Sequence, residues 1–271
     1  MNEKIKINYA LQMCDVRSYQ GNKRFCTDNR TELSKKSLVS FLNSINFCIN
    51  KEPKTFHEVK IFADDCSDEL KTYIDNCVEK NISEQLSIEV EHLNKAGIAN
   101  SIQYCYEWLK DNGSNLVYQV QDDYIFTEPA IYHSIDMFYQ LYQNYNTHPI
   151  ICPYIDPDFM RNYKGRSVPR LIELGKHSYW CQVYDTSCSF LTSQHQFVQH
   201  LDLYDVFYDL IRKKIINGNV IDLENKSLNY MFTQRGVLGV TPINGLTFHM
   251  QTDSEKDPYI DWKPIWDSII L

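Results

Sequence analysis

The sequence predicts an α/β fold, a mostly parallel sheet flanked by helices, with a more irregular second half. Three observations predict it. Short runs rich in Val, Ile, Phe and Tyr alternate through the first half with longer segments whose apolar residues recur at three and four spacing. Two of the early apolar runs stop at paired carboxylates, as strands do when they reach a polar sheet edge. Cap and turn residues separate the runs: Ser67 with Asp68 and Glu69 suits a helix start, and Asn112-Gly113 a helix end.

Taken in order, the strand-type runs are Ile5–Met13, Val59–Ala63, Leu86–His92, Leu116–Gln121 and Ile150–Tyr154. The helical runs between them are Thr31–Ile49, Ser67–Lys80, Ala96–Lys110 and Pro129–Tyr142. Asp156–Lys176 mixes proline, glycine, arginine and lysine in the manner of a long loop. Beyond it the pattern predicts a strand around Trp180–Leu191 and helices over Gln196–Ile215 and Asp222–Thr233.

At 271 residues the chain suffices for one large domain, and no internal repeat divides it. A net charge of -8 argues against a polyanion such as nucleic acid as the main partner. Nine cysteines without any CxxC pair read as reduced packing thiols rather than a disulfide framework or zinc knuckle. Neither an apolar leader nor a run of about 18 apolar residues is visible, so cytoplasmic residence is the expectation.

The chemistry concentrates in LVYQVQDDYIF, where a strand-type run stops at Asp122 and Asp123. Paired carboxylates at the carboxyl edge of an open sheet can hold a hard divalent cation against a diphosphate; a lone pair can equally be an acidic turn. VKIFADDCSDELKTYI repeats the arrangement with Asp64 and Asp65, and Asn94-Lys95-Ala96-Gly97 forms a turn before the next helix. In order and spacing these three features resemble the family 2 glycosyltransferases and their GT-A relatives, over roughly the first half of the chain.

That resemblance implies a GT-A-type, Rossmann-like single domain over residues 1–271. It would have a nucleotide-binding half over about 1–125 and an acceptor-binding half over about 126–271. It implies transfer of a sugar from a UDP-, dTDP- or GDP-linked donor to a glycan or other hydroxyl-bearing acceptor, dependent on Mn²⁺ or Mg²⁺. Asp64 and Asp65 would contact the base or ribose. Ala10, Leu11 and Gln12 on the opening strand would line the base pocket through backbone groups, and Asn94 and Gly97 would set the helix behind the donor. Asp123 would bind the metal, Asp122 the metal or the ribose, and His249, in VTPINGLTFHM, would be a further ligand. Val120 stands where many relatives carry another acid.

Inverting relatives place a general base near a late helix start. In NVIDLENKSLNYMF, Glu224 takes that position with Asp222 in reserve, although Asn225 replaces the usual aspartate; acids at a helix N-terminus also favour the dipole without any catalysis. Arg17, Lys23, Arg24 and Arg30 could reach phosphate or be solvated, with solvation the favoured reading, and Arg161, Lys164, Arg166 and Arg170 form a basic segment that could close over a diphosphate or be a solvated loop. Trp180, Trp262 and Trp266 read as packing residues before sugar platforms. The rivals are a sugar nucleotidyltransferase, disfavoured by the lack of a glycine-rich loop after the first strand, and a noncatalytic nucleotide- or carbohydrate-binding protein. GxxxxGK[ST] and GxGxxG are both absent.

Overall fold

The computed structural model describes residues 4–16, 26–154, 171–184, 189–217, 226–250 and 260–271. The chain is α/β. Four strands open the sheet in parallel: β1 (Ile5–Met13), β2 (Thr55–Asp64), β3 (Leu86–Leu93) and β4 (Leu116–Gln121), in the order β3-β2-β1-β4. β1 lies between β2 and β4 and is buried from Ile7 onward, which explains why it reads as a continuous apolar run rather than an alternating one.

The connecting helices are α1 (Arg30–Lys51), α2 (Asp68–Asn81) and α3 (Ile98–Asn112), followed after β5 (Tyr124–Phe126) by α4 (Ala130–Tyr145). α1 packs against α2 and α4, while α3 packs against β1 and β2. Ser67 caps α2 by accepting from the Leu70 amide at 3.2 Å, the role its sequence context predicts.

Beyond α4 the sheet becomes mixed. β6 (Ile150–Ile151), β7 (Ile172–Leu174), β8 (Tyr179–Val183), β9 (Phe190–Ser193) and β10 (Gly239–Pro242) extend it in the order β4-β9-β6-β10-β8-β7, with antiparallel pairing except between β6 and β10. The single strand expected over Trp180–Leu191 is therefore two, β8 and β9, which lie apart in the sheet. The helix expected over Gln196–Ile215 breaks at His200 into α5 (Gln194–Gln199) and α6 (Leu201–Asn217). Of the helix expected over Asp222–Thr233, residues 222–225 lie outside the described residues, and Tyr230–Thr233 forms the short α7. Most of the expected basic loop, 155–170 with its four cations, also lies outside them.

A two-stranded ribbon pairs β5 with β11 (Thr247–His249), setting His249 opposite Tyr124. The C-terminal helix α8 (Trp262–Ser268) covers this ribbon with Trp262 and Trp266, packed on Leu33, Ile125, Phe248 and Met250. The Lys36 ammonium, buried on α1, donates to the Trp266 and Ile269 carbonyls at 2.7 and 3.0 Å, satisfying the end of α8 with a positive charge. Trp180, Trp262 and Trp266 are all buried, so their work is packing. The eight described cysteines are free thiols, and no described helix is long and apolar enough to cross a membrane.

Under the sheet, His57 sits between two hydroxyls, with Tyr9 Oη 2.9 Å from Nδ1 and Thr55 Oγ1 2.9 Å from Nε2. Burial pushes its pKa down to about 3. Above the ordinary value near 6.5 the ring is neutral whether the chain is folded or not; as pH falls from there toward 3, only the unfolded chain takes the proton, and stability is lost. In urea unfolding, His57→Gln is expected to be less stable than wild type at pH 7, and the gap to narrow by about 1.4 kcal/mol for each pH unit below 6.5. A gap unchanged down to pH 4 contradicts the neutral buried ring.

Candidate functional site

The carboxyl ends of β1, β2 and β4 meet at one sheet edge, and the sequence places acids at all three: Asp15, Asp64 with Asp65, and Asp122 with Asp123. Asp122 and Asp123 form the two-residue turn between β4 and β5, and both are buried.

Asp122 is fully engaged by the protein. Its Oδ2 accepts from the Cys14 amide and from Ser34 Oγ, each at 2.8 Å, and its Oδ1 accepts from the Arg30 guanidinium. Arg30 also donates through Nε to the Cys14 carbonyl at 3.0 Å and places Nη1 3.9 Å from Asp123 Oδ2. Burial pushes the Asp122 carboxyl above the usual carboxylate range, and Arg30 opposes that push. On the arginine side, burial works against the charge, but Asp122 and Asp123 more than offset it, and its pKa rises. The expectation that Arg30 is solvated is thus corrected: its side chain is 15% exposed and ion-paired. Arg17, Lys23 and Arg24 lie outside the described residues.

Asp123 meets a second basic group. The β5–β11 register brings His249 Nε2 to 3.5 Å from Asp123 Oδ2, and the Met250 amide donates to the Asp123 carbonyl at 2.8 Å. The His249 ring stacks on Tyr124 with centroids 4.5 Å apart. A residue 126 positions away in sequence is thereby delivered to the carboxylate pair by two short strands.

α1 holds the turn in place through a stripe of serines on its buried face. Ser34 binds Asp122; Ser40 Oγ accepts from the Phe126 amide at 3.1 Å, and Ser44 Oγ from the Ile131 amide at 3.0 Å. Ser40 and Ser44 thus each satisfy a buried backbone donor. Asp15 does similar work at the neighbouring connection, accepting from the Ser67 amide at 2.7 Å, Ser67 Oγ at 2.6 Å and Thr31 Oγ1 at 2.7 Å.

The other expected site residues divide. Both Asp64 oxygens are taken at 2.8 Å by the amides of Ala96 and Gly97, so this carboxylate fills the anion-binding start of α3. It therefore holds α3 rather than a base or ribose. Gly97, the N-cap, has φ +86°, a conformation that favours glycine. Asn94 is exposed in the turn before it. Asp65 is half-buried at φ +51° and lies at the same edge as Asp122. Ala10 and Leu11 are 0% and 1% exposed, and β1 is laddered on both sides at their positions. Their backbone groups are committed to the sheet, which corrects the expectation that they line a base pocket. Gln12 reaches back to Ser101 Oγ on α3 at 2.5 Å. Glu224 and Asp222 lie outside the described residues. Sequence reading missed Asp15 and Ser34, and weighed Arg30 only as a phosphate contact or a solvated residue; the one visible signal was an acid two residues after the first strand.

A divalent cation fits this edge in part. Asp123 and His249 converge as an oxygen and a nitrogen donor, whereas Asp122 is saturated by Arg30, Ser34 and Cys14. Among the described residues no group of three or more His, Cys, Asp or Glu side chains could hold a metal ion alone. Mg²⁺ commonly takes one or two protein carboxylates and completes its shell with waters and phosphate oxygens, so a small donor set suits a cation shared with a diphosphate.

No known protein-family model matches the chain, and no curated protein matches it in sequence.

The cap role of Asp64 is testable by stability. Asp64→Ala leaves the Ala96 and Gly97 amides without their acceptor and is expected to cost about 1–3 kcal/mol in urea unfolding. Asp64→Asn, which keeps one acceptor oxygen, is expected to lose less than Asp64→Ala. Equal losses would show that the α3 cap is not the role of Asp64.

Proposed function

We propose that the chain is a GT-A-type glycosyltransferase of the family 2 kind, moving a sugar from a nucleoside-diphosphate donor to a hydroxyl acceptor. The observation that carries this reading is the convergence at one parallel-sheet edge. Asp122 and Asp123 follow β4, Asp65 follows β2, and His249 arrives on β11 within 3.5 Å of Asp123, which also faces the partly buried Arg30. Open α/β sheets bind ligands outside the carboxyl ends of their strands. The β3-β2-β1-β4 order, with motifs in the spacing of the resemblance, supports a donor there.

In this reading Asp65 meets the ribose or base, and Asp122 fixes Arg30 at the crevice wall. Asp123 and His249 are the residues that would hold Mn²⁺ or Mg²⁺, whose contribution is to neutralise the diphosphate as a leaving group. The acceptor oxygen attacks the anomeric carbon as the bond to the diphosphate oxygen breaks, releasing the nucleoside diphosphate. The acceptor proton passes to Glu224, with Asp222 the alternative, and the acceptor sits over the second half of the chain. Free thiols at all eight described cysteines suit a reducing, cytoplasmic compartment.

Calorimetry with UDP, GDP and dTDP, with and without Mn²⁺, tests the reading: one diphosphate is expected to bind, with Mn²⁺ required and Asp123→Asn abolishing binding. Equal binding in EDTA would remove the cation from the proposal. Glu224→Gln is expected to leave donor binding intact and lower kcat by about 10²- to 10⁴-fold, measured as sugar transfer; full activity in both Glu224→Gln and Asp222→Asn would end the case for a late carboxylate base.

A further inference from the structure

The buried apolar side chains of the described residues form two clusters, and the smaller one is built around α8. It joins Leu33 of α1, the cross-strand pair Ile125 and Phe248 of the ribbon, Met250, Trp262 and Trp266. Strand alternation separates the two: Tyr124 and Phe126 belong to the larger cluster, and Ile125 between them to the smaller. Neither α8 nor the ribbon is stable alone. α8 has seven residues, well below the roughly 12–15 that an isolated helix needs, and a ribbon of three residues against three is marginal in water. Each depends on the other for apolar backing, with Trp262 stacked on Phe248 at 5.2 Å between ring centroids.

The latch between α8 and α1 is Lys36. Its buried ammonium donates to the Trp266 and Ile269 carbonyls at 2.7 and 3.0 Å and lies 4.7 Å from the centre of the Trp266 ring. When α8 lifts, that ammonium regains water, and so does the Trp262 indole N–H, which is buried without a hydrogen-bond partner among the described residues. Closed and open forms are thereby nearer in free energy than apolar burial alone would set them.

We propose that α8 is a strap that opens as a local unit while the larger cluster stays folded, that the β5–β11 ribbon opens with it, and that Lys36 holds it shut. His249 lies between Phe248 and Met250, so its 3.5 Å approach to Asp123 and the bond from the Met250 amide to the Asp123 carbonyl belong to the closed form. The strap thus decides whether the β11 side of the sheet edge is assembled. This opening follows from packing and goes beyond the glycosyltransferase reading, being independent of the ligand the edge takes.

Native-state hydrogen exchange on the full chain tests it, read at residues 124–127, 247–250 and 265–269 against β1 and β2, in wild type, Lys36→Ala and Ile61→Val. Ile61 is fully buried in the larger cluster, so its truncation raises the population of globally unfolded chain and not that of the open strap. Ile61→Val is expected to speed exchange in β1 and β2 by about two- to tenfold and to leave the strap and ribbon amides unchanged. Lys36→Ala is expected to speed exchange in α8 and the ribbon together, at least about tenfold. β1 and β2 also speed in that variant, because global unfolding loses the closed strap as well; the Ile61 variant is what separates local from global opening. Strap and ribbon amides that speed in Ile61→Val by the same factor as β1 overturn the proposal. So does Lys36→Ala with unchanged α8 exchange, or with faster α8 exchange and an unchanged ribbon. If Lys36→Ala does not fold, Lys36→Gln takes its place, with a shift expected in the same direction by a smaller factor and the same contrary results.

Discussion

An ion pair between the partly buried Arg30 and the buried Asp122 joins the three segments from which the candidate site is made. It ties the end of β1, through the Cys14 amide and carbonyl, to the first residue of α1 and to the turn that follows β4. Removing Arg30 would leave the buried Asp122 carboxylate without its charge partner. The Ser34 hydroxyl completes the shell of Asp122, and two more serines of the same helix face fasten the backbone from Phe126 to Ile131. The position of Asp123, and of the β5–β11 ribbon that brings His249, follows from that anchoring.

The acids at this edge have divided their labour. Asp15, Asp64 and Asp122 each accept at least two hydrogen bonds from the protein's own backbone and hydroxyls and hold a connection or a helix start. Carboxylates used this way set the shape of the crevice, and Asp65 and Asp123 are the members the proposed chemistry employs. At both strand ends one of the two adjacent acids is thus committed to architecture, Asp64 to the start of α3 and Asp122 to Arg30, Ser34 and the Cys14 amide. The chemistry of an aspartate is the same in both roles; the donors around it make the difference.

Much of the fold was legible in the chain because its first half obeys simple periodicities. β1 and β4 match their expected limits, and α1 to α4 lie within a few residues of theirs, since long amphipathic runs and caps such as Ser67 report local physics. The second half was less readable: strands of two to five residues, such as β6, β7 and β10, are too short to carry a period, and their places in the mixed sheet depend on tertiary contacts. In the site, the paired acids were visible as strand endings, but the roles of Arg30 and the serine stripe were not. Arg30 follows a polar stretch, NKRFCTDN, that reads as a solvated loop, and serines at helical spacing resemble an exposed face until a buried backbone donor is found opposite them. His249 was legible only through resemblance, because a 126-residue separation leaves no local signal.

The account's central claim is that the end of β4 is where a diphosphate and a divalent cation meet. Crystals grown with MnCl₂ and the nucleoside diphosphate selected by calorimetry, with data collected at the manganese absorption edge, test this most directly. The account predicts a single strong anomalous peak within bonding distance of Asp123 and His249, bridged to the diphosphate, with Arg30 still paired to Asp122. A diphosphate bound away from this edge, or an anomalous peak that touches neither residue, would contradict it.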